Sequence, residues 1–223
     1  DALVRRIFVD VEPAVVQLFT KEWLPPGVDP TKDVDADADA DDDAGGAHTS
    51  AAAAAAARTG SSSSRKEESG LVGMILECFG SYLDDNLEPC MLAFLVKRVC
   101  AGLLDKLAAR YVEELLTKHH PSEILTSQIA SDLMDGDQDA IAAFFRERCG
   151  LRDSATEAPL ALLHDVCSLY TADVTMLSFA CHQLLSAYSD FTPKVLAIAL
   201  AARSSGPRSS PGYLTKEQRE DAY

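Results

Sequence analysis

Few residues in this chain have the type and spacing for chemistry. His164 and Cys167 stand three apart, and Cys181 and His182 are adjacent; both pairs could offer zinc ligands or a nucleophile and its base. Zinc normally takes four ligands in closely spaced pairs, and the rest of the chain supplies no such set. A Cys–His nucleophile also needs an orienting group that spacing alone does not identify. The six cysteines, Cys78, Cys90, Cys100, Cys149, Cys167 and Cys181, contain no C-x-x-C pair and lie in apolar helical context. They read as small buried hydrophobes in a reducing compartment.

Two acidic stretches invite a calcium reading. An EF-hand loop requires Gly at its sixth position and Glu at its twelfth. Counted from Asp35 those positions are Ala40 and Gly46; counted from Asp135 they are Ala140 and Arg146. Both stretches fail, and read instead as a solvated acidic linker and a polar helix break. No glycine-rich phosphate loop is present. The expectation is therefore no catalytic residue, no metal and no cofactor. Lys97, Arg98, Lys106 and Arg110 put positive charge on one helix; Lys97, Lys106 and Arg110 are the candidate partner-binding residues, against the plainer reading of a solvated face.

The elements that carry these residues are amphipathic helices. Phe8, Val11, Val15, Leu18 and Phe19 recur at helical spacing in a first helix predicted over about residues 2–23, anchored by Trp23 and stopped by Pro25-Pro26-Gly27. A second begins near Gly70 with Leu71, Met74, Ile75, Cys78, Phe79, Tyr82 and Leu83 on one face. A third spans about residues 88–118, and its apolar stripe rotates near Gly102, so its two ends should meet different neighbours. A helix over about 122–133 is expected to break at Asp135-Gly136 and resume through Phe144-Phe145 to Cys149, with one phenylalanine facing the core beside Ile141. Helices over about 159–170, 174–188 and 192–203 complete the pattern. No Lys or Arg lies between Arg152 and Lys194, which predicts that the helices there are the most buried. No strand alternation appears.

Between the first two helices, residues 33–69 form an acidic, Ala- and Ser-rich insert without an aliphatic face, expected to be disordered and dispensable for folding. Eight of the acidic residues lie between Asp29 and Asp43 against the single Lys32, so part of the net charge of −15 belongs to this tract. That balance argues against nucleic-acid binding, which needs basic side chains to neutralise phosphate. The expected fold class is all-α: an elongated stack of antiparallel helical bundles, with a long disordered insert. The whole of 1–223 is read as a fragment of a larger protein.

Four segments together resemble the C-terminal region of the Sec-six (exocyst complex component three) family. They are Ile7–Glu12 with Leu18–Leu24, containing Thr20-Lys21-Glu22-Trp23-Leu24; Ile75–Phe79 with Tyr82-Leu83; Arg110–Leu116; and Leu169–Asp173 followed by Leu184–Phe191. The chain departs from the family after Arg203, where Ser204-Ser205-Gly206 stands in place of Arg-Gly-Asp, and in its long insert. The resemblance implies that 1–223 is the helical-bundle C-terminal region of a larger protein, a rod of the vesicle-tether type, and a non-enzymatic scaffold subunit of the exocyst, tethering secretory vesicles to the plasma membrane during exocytosis. Its partners would be other exocyst subunits and, beyond them, SNARE proteins. It would be cytoplasmic, recruited to sites of secretion, and peripheral to the membrane through the complex. The alternative is a generic helical-repeat adaptor outside membrane traffic. A third reading, a small helical Cys–His enzyme, requires His164, Cys167, Cys181 and His182 to cluster around one pocket.

Overall fold

The computed structural model describes residues 2–24, 70–117 and 128–203. The insert 33–69 lies outside the described residues. Among those described, the chain is helical and contains no strand. The helices are α1 (Ala2–Val15), α2 (Leu71–Tyr82), α3 (Ala93–Thr117), α4 (Gln128–Ala143), α5 (Asp153–Thr171), α6 (Val174–Ala187) and α7 (Pro193–Arg203). A short 3-10 turn, Lys21–Trp23, follows α1, and π-helical turns extend α2 over Leu83–Leu87 and α4 over Phe144–Arg148.

The residue contacts fix the direction of the helices. Val4 meets Gly102, Lys106 lies over the Phe8 ring, and Arg110 pairs with Glu12, a constant offset along both helices. α1 and α3 therefore run side by side in the same direction. Gly80 beside Phe144, and Asp84 beside Arg148, show the same for α2 and α4. Lys97 lies beside Gly150, just past the end of α4, while Tyr111 meets Asp137, so α3 and α4 are antiparallel. The α5–α6 surface likewise runs antiparallel: Ala172 and Met176 line the same cavity as Asp165 and Gln183, with Asp165 hydrogen-bonded to Gln183. Only Ala172-Asp173 joins α5 to α6, which forces their reversal, and the parallel pairs α1–α3 and α2–α4 are second neighbours along the chain.

One hydrophobic cluster joins all seven helices. α3 is its centre and packs on α1, α5 and α7. That is the physical reason its apolar stripe rotates. Of the adjacent phenylalanines, Phe145 is fully buried with Ile141, while Phe144 is half-buried and meets it edge-on at 5.2 Å. Adjacent helical residues differ by about 100°, so only one can face the core.

Several expectations are corrected. The first helix ends at Val15, not Trp23. Phe19 then takes a φ of 61°, a left-handed conformation that costs a non-glycine residue about 1–2 kcal/mol. Its burial between Trp23 and Tyr111, with ring centroids 4.9 and 4.8 Å away, offsets that strain. The third helix starts at Ala93 rather than near residue 88, because the π turn after α2 occupies residues to Leu87. α4 is continuous through Asp135-Gly136, since neither residue there needs a non-helical backbone; α5 begins at Asp153, six residues before Pro159. On α2, Met74 points outward and Val72 and Leu76 point inward. The lack of charge in α6 does not make it buried: Met176 and Phe179 are exposed, because α6 packs chiefly on α5 and offers its other side to solvent.

Candidate functional site

The three basic residues singled out on α3 do not share one face. Lys97 is exposed at the corner beside Gly150, its Nζ 3.4 Å from where a Cβ on that glycine would sit. Lys106 and Arg110 lie on the opposite side of the helix, against α1. The Lys106 ammonium sits 4.4 Å from the centroid of the Phe8 ring, a cation–π contact. Arg110 donates from Nη2 to Glu12 at 2.5 Å and to Glu114 at 3.2 Å, and from Nη1 to Glu113. These carboxylates raise the Arg110 pKa against the opposing effect of burial. Two of the three charges are thus engaged within the chain and hold α1 to α3.

Beside them, Phe8, Val9, Glu12, Pro13, Val16, Gln17 and Lys106 enclose a groove of about 540 Å³. Its apolar content is exposed: Val9 has 59% and Val16 44% of its surface open. The arrangement is apolar residues on one helix, flanked by Glu12 and Lys106. It can bind an amphipathic segment through burial of its aliphatic side chains, with the two charged groups setting orientation.

A second arrangement was not legible from motifs. Asp137, on α4, turns its carboxylate inward, where Oδ2 accepts from the Trp23 indole at 3.0 Å and from the Tyr111 hydroxyl at 3.1 Å. Burial raises the Asp137 pKa to about 7, and the two hydrogen bonds, which favour the ionised form, only partly offset it. The same burial, with Asp137 nearby, pushes the Tyr111 phenol well up. A carboxyl poised near neutrality is a usable acid or base, but Asp137 lines neither the groove on α1 nor the smaller cavity between α5 and α6. Its evident work is to satisfy two buried aromatic donors and join the end of the α1 segment to α3 and α4.

The cavity between α5 and α6, about 210 Å³, is lined by His164, Asp165, Ser168, Ala172, Met176, Phe179, Ala180 and Gln183. Asp165 accepts from Gln183 Nε2 and from Tyr188, each at 2.9 Å. His164 reaches this cavity, but Cys167, Cys181 and His182 do not line it; the two cysteines are buried and His182 is exposed. Burial raises the Cys167 and Cys181 pKa values, the reverse of what a nucleophilic thiol needs. Among the described residues, no three His, Cys, Asp or Glu side chains converge as a metal site. The acidic tract from Asp35 lies outside the described residues.

Arg203 was also missed as a structural group. It is buried, and donates to the carbonyls of Leu169 at 2.6 Å and of Ala172, at the end of α5. A cation there satisfies carbonyls that the helix leaves unbonded. Trp23 and Tyr111 carried a partial signal, since large buried aromatics with polar tips need acceptors. Nothing in sequence spacing tells which acceptor. No family model, curated protein or solved structure matches the chain. Among the described residues no helix is long and apolar enough to cross a membrane.

Proposed function

We propose that this chain is a non-enzymatic helical scaffold: a subunit of the exocyst, of the Sec-six (exocyst complex component three) type, that helps tether secretory vesicles at the plasma membrane. The observation that carries the scaffold reading is the groove on α1, where Val9 and Val16 stay open beside Glu12 and Lys106 although a full core lies beneath them. The exocyst assignment rests on the four resembling segments. Antiparallel sequence neighbours on a shared core are compatible with stacking into a longer rod of helical bundles, as that reading requires.

In this mechanism no bond is made or broken. A helix of a neighbouring exocyst subunit lies in the α1 groove, burying Val9 and Val16; Lys97, exposed on the far side of α3, offers a separate charged contact. SNARE proteins would meet the assembled rod, and membrane association would be peripheral, through the complex. The cellular site is the cytoplasm beneath zones of secretion.

Affinity purification of the tagged chain from its native cells, read by mass spectrometry, tests this proposal. Other exocyst subunits should come down together, and V9D/V16D should lose them while keeping the wild-type thermal melt. Recovery of a partner set unrelated to secretion would replace the exocyst reading with that of a helical adaptor outside membrane traffic. K97E tests the second contact separately. K106E and R110E also remove the α1–α3 contacts, so their folding must be measured before their binding is interpreted.

A further inference from the structure

α6 is covered on one side. It packs chiefly on α5 and leaves its other face open. Met176 and Phe179 stand three apart on that face, 53% and 65% exposed, and Gln183 continues the same stripe one turn further on. No charge interrupts them: Val174–Ala187 contains no Asp, Glu, Lys or Arg. A solvated helix face carries charged and polar side chains. A methionine and an aromatic ring left open over a cavity mark a contact surface instead. The cavity beneath them, about 210 Å³, separates them from α5, and both of its ends are acidic. At one end the Asp165 carboxylate is held in place, Gln183 Nε2 donating to Oδ1 and the Tyr188 hydroxyl to Oδ2, each at 2.9 Å. Both donors are neutral, so the charge is positioned and not cancelled. At the other end exposed Asp173 follows Ala172 and precedes α6, its carbonyl accepting from the Met176 N–H at 2.9 Å. Glu157, two turns before His164 on α5, and Asp190 add the same sign, and no Lys or Arg lies between Arg152 and Lys194. The Arg203 guanidinium, which interacts with the Asp173 charge, is buried and engaged by the carbonyls that end α5.

We propose that the trough between α5 and α6 is a docking site for a basic amphipathic helix of a partner protein. An apolar side chain of that helix enters the cavity beside Met176 and Phe179, and its lysines or arginines meet Asp165 and Asp173. The site shares no residue with the α1 groove and does not depend on the exocyst assignment. A helix laid along an antiparallel pair completes a three-helix packing and takes the open Met176 and Phe179 out of water. The acidic rim chooses among occupants. A second copy of this chain would bring carboxylates against carboxylates, and an anionic membrane surface would be repelled. A basic helix is attracted. Burial of the apolar anchor supplies most of the affinity, on the order of tenfold or more for one large side chain. The rim charges supply orientation, a faster encounter and sensitivity to salt.

The test uses the full chain and a synthetic probe, a fluorescein-labelled helical peptide with leucines on one face and lysines flanking them. A matched control peptide carries glutamate in place of each lysine. In fluorescence anisotropy the lysine peptide should bind, lose affinity as salt is added, and bind more tightly than the glutamate peptide. F179S should weaken it by about tenfold or more, and D165N/D173N should reduce its salt dependence. V9D/V16D, which alters the α1 groove, should bind it as the wild type does. Phe179 is exposed, so F179S should keep the wild-type thermal melt. A second measurement needs no variant. The lysine peptide with a benzophenone in place of one leucine, irradiated on the wild-type chain, should attach to the tryptic peptide Asp153–Lys194, which contains both α5 and α6. The proposal is overturned if the lysine peptide does not bind, if the glutamate peptide binds equally, or if folded F179S keeps wild-type affinity. Attachment to the tryptic peptide Ile7–Lys21 instead would place the probe on α1 and also overturn it. So would a concentration-dependent dimer of the chain that F179S dissolves, which would give this face to self-association.

Discussion

Two regions of this helical body, the α5–α7 junction and the α1–α3–α4 corner, each bury an ionisable side chain, and they solve the problem in opposite ways. Arg203 is surrounded by the carbonyls that close α5, acceptors that suit a cation. A guanidinium does not lose its proton in the ordinary pH range, so although burial lowers its pKa it stays charged and must be matched. Asp137 meets only neutral donors, Trp23 and Tyr111. A carboxyl can shed its charge by taking a proton, and burial drives it to do so up to about pH 7. The α5–α7 junction should therefore be indifferent to pH near neutrality, and the α1–α3–α4 corner should not.

An apolar truncation gives the scale for both regions. Phe145→Ala should cost about 3–5 kcal/mol, measured by urea unfolding, and Phe144→Ala clearly less, because only Phe145 is fully buried. Equal costs would contradict the assignment of core and flank.

The pH response is the next largest effect. Unfolded, Asp137 titrates near its ordinary value of 3.8; folded, it titrates near 7. Between those values the folded state holds a proton that the unfolded state has released. Its contribution is fully present below the unfolded pKa and is lost as pH rises through the window to about 7, where it levels off. The full loss would be at most about 4 kcal/mol, from about 1.4 kcal/mol per pKa unit. Unfolding followed by Trp23 fluorescence at a series of pH values measures it. Asp137→Asn keeps an oxygen acceptor for both donors and should flatten that part of the profile; an unchanged slope would show that another group causes it.

Arg203→Met should destabilise by about 3 kcal/mol by leaving the α5 carbonyls without their charged donor, with nearly the same cost at pH 5 and pH 8. A cost that changed strongly over that range would erase the contrast between the two regions. The smallest effect is Tyr111→Phe, about 1 kcal/mol at pH 5. With one of its two donors gone, the Asp137 carboxylate should become harder to form. The midpoint of the fluorescence titration should then move above the wild-type value; a move downward would mean the hydroxyl does not face the carboxylate.

Much of the helical layout was legible because burying one side of a helix imposes a 3.6-residue period on apolar residues. Phe8, Val11 and Val15 are buried as that period requires, as are Leu177, Cys181 and Leu184. Helix ends were less legible. The left-handed turn at Phe19 lacks a glycine to announce it, and Asp135-Gly136 resembles a break yet sits inside α4. Local propensity is worth only about 1 kcal/mol per residue and yields to packing. The same limit explains α6: absence of charge permits burial but does not supply a neighbour, and Met176 and Phe179 remain open.

By itself the sequence determined the helical class, the positions of most helices and the poverty of ligand-like spacing, because these depend on residue type and near-neighbour order. Only the tertiary structure decided that Lys106 and Arg110 face α1 while Lys97 faces the opposite corner, and that Val9 and Val16 border a groove. It also decided that Asp137 answers Trp23 across more than a hundred residues, and that Arg203 closes α5. These are encounters between distant segments. Their geometry is set by how whole helices pack on a shared core, a relation that no local pattern of residues encodes.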